Sequence, residues 1–235
     1  MNTVIVLPTY NEADNLPRLV EAVFALKIND LKIIVVDDNS PDGTGGIADE
    51  LAVKYPLSVI HRSGKLGLGS AYLAGFKKAI QMDADLIFEM DADFSHNPKE
   101  IPNFIKEIAN GYDLVVGSRR VEGGRVDGWN FQRDLQSRAA MGFARFILGL
   151  KTKDITSGFR CYRREMFERI NLDKIKSNGY AFQEEMLYRC EAVGFKIKEI
   201  PINFVDRALG QSKLGLKDIL EFFMTVIKLK MDKLS

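Results

Sequence analysis

The sequence predicts an α/β fold with a mostly parallel central sheet flanked by helices. Three observations carry that prediction. Through the first half of the chain, short β-branched runs alternate with helical patterns. The runs are almost continuously apolar, which suits strands covered on both faces. Acidic, basic and glycine-rich stretches follow those runs, at the strand ends where open α/β sheets bind ligands.

The elements follow in order. TVIVLP (3–8), KIIVVDD (32–38), LSVIHR (57–62), LIFEMD (86–91) and DLVVGSR (113–119) read as strands. Helical patterns fill 15–27, 44–54, 68–82 and 98–109, the last opened by Pro98 and Pro102. Beyond these, 125–134 reads as a Gly- and Arg-containing loop and 137–150 as an Arg-bearing apolar helix. A further helix is expected over 178–194, one or two strands over 195–207, and a final helix over 216–230. Phe143, Phe146 and Phe182 are assigned to the core by default.

A chain of 235 residues with 46% apolar and 28% charged content suits one soluble domain. The net charge of +1 gives no bulk attraction to nucleic acid, so no nucleic-acid partner is expected. Two cysteines, Cys161 and Cys190, lack zinc-ligand spacing and argue for a reducing compartment. Met1 leads straight into a strand, so no signal peptide is expected, and no apolar run reaches the length of a membrane span.

The strand ends carry the chemistry. PTYNE follows the first strand, DDNSPDGT the second, DADFS the fourth and GSRR the fifth. The GxGxxG of a dinucleotide fold is absent, and GKLGLGSA (64–71) fails as a P-loop because Leu66, not Ser or Thr, follows Lys65. Those glycines suit a tight turn at a helix N-terminus. Asp91 and Asp93, if extended, project to one side, and two carboxylates so placed repel unless a cation lies between them. Oxygen ligands select Mg2+ or Mn2+. Taken alone, Asp-x-Asp favours a solvated strand end; Glu12, Asp37 and Asp38 at neighbouring strand ends raise the case for a site, and one of them could contact a ribose or base.

Together, LPTYNEADNLP, VVDDNSPDGT, GLGSAYLAGF, MDADFSHNP and VVGSRR resemble an inverting family 2 glycosyltransferase of GT-A fold. GGRVDGWNFQRDLQSRAA, DITSGFRCYRREMFERI, GYAFQEEM and INFVDRALGQSKLG are similar to its dolichol-phosphate or polyprenol-phosphate mannosyltransferase branch. The resemblance runs from residue 3 to about 216. It implies a catalytic domain over 1–212 and a C-terminal amphipathic helix over 213–235. It also implies GDP-mannose as donor, dolichyl or another polyprenyl phosphate as acceptor, Mg2+ or Mn2+ as cofactor, and a β-mannosyl phosphate product.

Carried residue by residue, the resemblance puts Pro8, Tyr10, Glu12, Val36 and Asp38 at the nucleoside. Asp91, Ala92 and Asp93 fall at the diphosphate and metal, and Ser95 where relatives often place a third ligand, Gln. Arg119, Arg207 and Lys213 match a phosphate clamp, and Arg133 and Ser137, with Arg119 and Arg207, the lipid phosphate. Asp93 and Arg119 are the catalytic candidates. His61 and His96 read as surface or helix-start residues, Arg120 as solvated surface. Glu184 and Glu185 fall on a helix near the site, Glu185 positioning an arginine or a sugar hydroxyl. The resemblance implies peripheral attachment to the cytoplasmic face of a membrane, directly or through an anchoring subunit. A UDP-glucose donor, or a non-catalytic nucleotide-sugar or lipid-binding subunit, are the competing readings.

Overall fold

The computed structural model describes residues 1–177, 179, 181–206 and 216–231. The chain runs β1 (Thr3–Thr9), α1 (Leu16–Phe24), β2 (Leu31–Asp37), α2 (Thr44–Lys54), β3 (Leu57–His61), α3 (Leu68–Gln81) and β4 (Leu86–Glu89). It continues through α4 (Ile101–Ala109), β5 (Leu114–Ser118), β6 (Arg125–Asp127), α5 (Phe131–Leu148), β7 (Arg160–Arg163) and α6 (Met166–Arg169). Next come α7 (Ala181–Val193), β8 (Ile197–Pro201), β9 (Asn203–Val205) and α8 (Leu216–Met231). Short 3-10 turns precede α4 and follow α6.

Among the described residues, seven strands form one sheet in the order β3-β2-β1-β4-β7-β5-β8. All neighbours are parallel except β7, which runs antiparallel between β4 and β5. The period of two along each strand divides the core. Val4 and Val6 pack into one layer with Tyr72, Phe76 and Phe182, while Ile5 and Leu7 pack into the other with Leu19, Val23 and Phe104. The first layer is covered by α3, α5, α7 and α8, the second by α1, α2 and α4.

The α3 helix lies unusually close to β1. A Cβ on Gly75 would fall 2.2 Å from Val6 Cγ1, so only glycine permits this approach.

Three readings of the sequence are corrected here. The 125–134 segment is not all loop, because β6 pairs with β9 in a separate two-stranded ribbon and α5 begins at Phe131. Asn130 caps α5 by accepting a hydrogen bond from the Arg133 N–H at 2.8 Å. β7 went unread because its four residues include two arginines, and Arg160 is fully buried. Phe146 is 86% exposed, whereas Phe182 is in the core and Phe143 packs edge-on against Phe223 of α8. Val226 and Leu229 bind α8 into the core, so the last helix packs on the domain. No helix among the described residues is long and apolar enough to cross a membrane.

Candidate active site

At the carboxyl ends of β1 and β2 the carboxylates divide by role. Asp37 is consumed by the fold, accepting from Thr9 Oγ1 at 3.0 Å, Ser40 Oγ at 2.6 Å and the Ser40 N–H at 3.0 Å. Asp38 forms a buried ion pair with Arg62 at 2.9 Å and accepts the Leu66 N–H at 3.1 Å. Burial pushes its carboxyl upward, with Arg62 opposing. Asp38 therefore fastens the 62–67 loop beside Tyr10, over whose ring Lys65 Nζ lies at 4.2 Å. The turn ends at Gly67, which opens α3 with φ +101°. Pro8 is half-buried, and Glu12 ties Asn15 at 2.8 Å and Thr44 through its own N–H at 2.9 Å. Val36 and Ala92 put their side chains into the core, leaving only main chain for a ligand.

Beyond β4, Asp91 and Asp93 lie on a short loop. Asp93 Oδ1 accepts the Ser95 N–H at 2.9 Å, which curls the loop. Asp91 Oδ1 accepts from Tyr72 Oη at 3.2 Å, and the Asp91 N–H donates to His96 Nδ1 at 3.3 Å. His96 does precede a 3-10 turn, but it is buried, stacked on Phe159 at 5.1 Å; His61 is exposed and pairs with Asp49. A Cβ on Gly158 would sit 3.5 Å from Asp91 and 3.7 Å from Gln183 Nε2, so a small cradle borders the motif.

The donor set fits a hard cation. It offers two carboxylates and the Ser95 hydroxyl, which is buried without a hydrogen-bond partner. Among the described residues no three His, Cys, Asp or Glu side chains gather into a ready metal site. The remaining ligands would come from a diphosphate and water.

The basic end is built around Trp129, the chain's one tryptophan. Arg133, Arg119 and Arg120 lie 4.4, 5.8 and 5.9 Å from its ring. Each guanidinium has its own carboxylate. Arg119 grips Asp154 through Nε and an Nη, both at 2.7 Å, and its main-chain N–H reaches the same group at 2.8 Å. Burial would raise the Asp154 carboxyl, but those bonds and the charge of Arg119 outweigh it and hold it low. Arg120, expected at the surface, is buried against Asp134 at 2.5 Å and donates to Ser137 Oγ at 3.2 Å. Arg133 pairs with Asp206 at 2.5 Å.

Beneath both ends lies a buried polar layer. Arg160 donates to the carbonyls of Gln183 at 2.8 Å and Ile155 at 2.9 Å, and Tyr162 Oη donates to Glu89 at 2.9 Å. Burial pushes Glu89 up to about 7 and Glu184 up to about 8, with Arg160 opposing in each. Glu185 accepts from Arg189, one turn further along its own helix, at 2.7 and 2.9 Å.

The structure thus brings Asp91, Asp93 and Ser95 onto one loop, and Arg119 and Arg133 around one indole, with Ser137 joined to that cluster through Arg120. Asp91 and Arg119 follow the carboxyl ends of β4 and β5, which run parallel on either side of β7, so the two groups share one edge of the sheet. Arg207 and Lys213 lie outside the described residues. The sequence reading missed Trp129, Asp154, Asp206 and Arg160; a lone tryptophan inside a Gly- and Arg-rich stretch was the signal available for the first.

Residues 4–170 match the family model described as Glycosyl transferase family 2. A polyprenol monophosphomannose synthase of Mycolicibacterium smegmatis is 44% identical over 95% of this chain and 85% of its own. An undecaprenyl-phosphate mannosyltransferase of Micrococcus luteus is 44% identical over 92% and 88%. Among solved structures, glucosyl-3-phosphoglycerate synthase of Mycobacterium tuberculosis, in complex with Mn2+, UDP-glucose and phosphoglyceric acid, superposes with a TM-score of 0.69. It is 19% identical, and the match covers 98% of this chain and 80% of that one.

Proposed function

This chain belongs to glycosyl transferase family 2 and has the GT-A fold, and from that premise we propose that it is a polyprenol-phosphate mannosyltransferase using GDP-mannose. The observation that carries the reading is the 44% identity to a polyprenol monophosphomannose synthase, spread over nearly the whole chain. The geometry supports it, since a hard-cation loop and an arginine cluster face one ligand edge.

Each residue then has a chemical task. Tyr10, Glu12 and Asp38, with main chain at Pro8 and Val36, border the nucleoside. Asp91, Asp93 and Ser95 would hold Mg2+ or Mn2+, which when bound offsets negative charge on the departing diphosphate. Arg119, fixed by Asp154, and Arg133 beside Ser137 orient the acceptor phosphate. Arg207 and Lys213 join this clamp on resemblance alone. A phosphate monoester with a second pKa of about 6 is largely a dianion near neutrality and attacks without a general base. Attack opposite the leaving group inverts the anomeric centre, and Arg119 and Arg133 counter the repulsion between acceptor and donor phosphates.

The acceptor's lipid requires a membrane surface. On α5, Phe131 is 80% exposed and Leu135 and Phe146 also face outward; on α8, Met224, Ile227 and Met231 do the same. Arg138, Lys228 and Lys230 are exposed around them. This is the pattern of an interfacial surface with cations at anionic headgroups, and it supports peripheral attachment to a membrane; the cytoplasmic face is proposed on the resemblance alone.

The test is radiolabelled sugar transfer into undecaprenyl phosphate from GDP-mannose or UDP-glucose, with and without EDTA. Lipid labelling from GDP-mannose alone, lost with EDTA and restored by Mg2+ or Mn2+, is the expected result. Labelling only from UDP-glucose would overturn the donor, and no lipid labelling from either would overturn the acceptor.

A further inference from the structure

We propose that Asp206 is an internal stand-in for the acceptor phosphate: it holds Arg133 in the free protein and is displaced when the phosphate arrives. The proposal rests on the polyprenyl-phosphate reading above and adds a residue to it that opposes binding.

The argument begins with repulsion. Three guanidinium groups around one indole destabilise one another unless each has a counter-ion, and Asp154, Asp134 and Asp206 supply them. The three pairs are not equivalent. In Arg119–Asp154 the side chains are 7% and 0% exposed, and Asp154 also accepts the Arg119 main-chain N–H. That pair is fixed. Asp134 is shared, bound by Arg138 at 2.7 Å as well as by Arg120. In Arg133–Asp206 the side chains are 32% and 25% exposed, and among the described residues no second side chain meets the carboxylate. Water reaches this pair, so a stronger anion can replace the weaker one there.

The backbone around Asp206 limits what moves. Its N–H donates to Asp127 O at 2.9 Å, extending the β6–β9 ribbon. Gly128, at φ +95°, faces Asp206 Cβ so closely that a Cβ added there would lie 3.0 Å away. The main chain is therefore clamped, and rotation of the carboxylate is the available response. A lipid monophosphate carrying nearly two charges outcompetes a single carboxylate for Arg133. The exchange keeps the cluster neutral when empty and makes a lone carboxylate ligand a poor competitor for the site.

Trp129 reports the exchange directly, because it is the one tryptophan and its ring lies 4.4 Å from Arg133. Tryptophan emission is titrated with farnesyl phosphate, and transfer to the same acceptor is measured, in wild type and Asp206→Asn. The variant is expected to bind about fivefold more tightly, the upper end for a solvent-exposed ion pair. KM for the acceptor falls by the same factor and kcat stays within about twofold. In an Arg133→Gln background, Asp206→Asn then changes nothing. If Asp206 merely orients Arg133, the variant binds more weakly or equally and KM does not fall; either result overturns the proposal. Asp206→Ser, judged by the same readouts, serves if the asparagine variant loses its thermal transition. A folded wild type that neither binds farnesyl phosphate nor transfers sugar to any lipid phosphate overturns the underlying reading instead.

Discussion

The two ends of the site are built from opposite materials. The proposed donor end mixes near and distant partners: Asp93 meets the N–H of Ser95, while Asp38 reaches Arg62 and Asp91 meets Tyr72. The acceptor end places arginines against carboxylates from distant segments: Arg119 with Asp154, Arg133 with Asp206. An acidic loop that awaits a cation can be shaped by short turns. An arginine cluster that awaits an anion must be neutralised in advance, and only the tertiary fold supplies the counter-ions. The Asp93 turn is a local motif, whereas the counter-ions of Arg119 and Arg133 are supplied by the whole fold.

Substitutions at the two ends should accordingly fail in different ways. Asp93→Ala removes a proposed metal ligand without leaving a buried charge unpaired, so turnover should fall by about a hundredfold or more while the thermal midpoint hardly moves. Wild-type turnover in that variant would end the proposed metal role of the loop. Asp154→Asn should act on the fold itself. It leaves Arg119 buried without a counter-charge, and denaturant unfolding should show a loss of about 3–5 kcal/mol. A loss under about 1 kcal/mol would make the acceptor end as local as the Asp93 turn. The smallest effect on stability is expected on the outer face of α5. Phe131→Ser with Phe146→Ser should change unfolding by no more than about 0.5 kcal/mol each, yet reduce co-flotation with anionic vesicles. Undiminished flotation would remove α5 from the membrane surface.

The same contrast explains what the sequence disclosed. β1 to β5 and α1 to α4 were legible because parallel strands buried on both faces read as apolar runs, and their boundaries moved by only a few residues. Asp91, Asp93 and Asp38 stood out because strand ends are where ligands sit, and their binding roles remain proposals. β7 was not, since burial of Arg160 is made possible by the carbonyls of Gln183 and Ile155, which no local pattern announces. β6 was hidden for a related reason, its strand partner among the described residues being β9, far along the chain. Arg120 read as surface because its partner Asp134 lies beyond β6, in the first turn of α5, and Phe146 read as core because an aromatic side chain does not disclose which face of α5 it occupies. Arg207 and Lys213 were read from the resemblance and remain proposals.

Gly75 touches no ligand group, yet it sets a mechanical tolerance for the chemistry. It sits in α3 between the helix and Val6, and Tyr72, on the same helix, reaches the Asp91 carboxylate. Any side chain at Gly75 must lift α3 away from β1 and carry the tyrosine hydroxyl with it. Alignment of the acidic loop is thus gauged from a contact in the core, and a hydrogen atom in place of a methyl group is the shim that sets it.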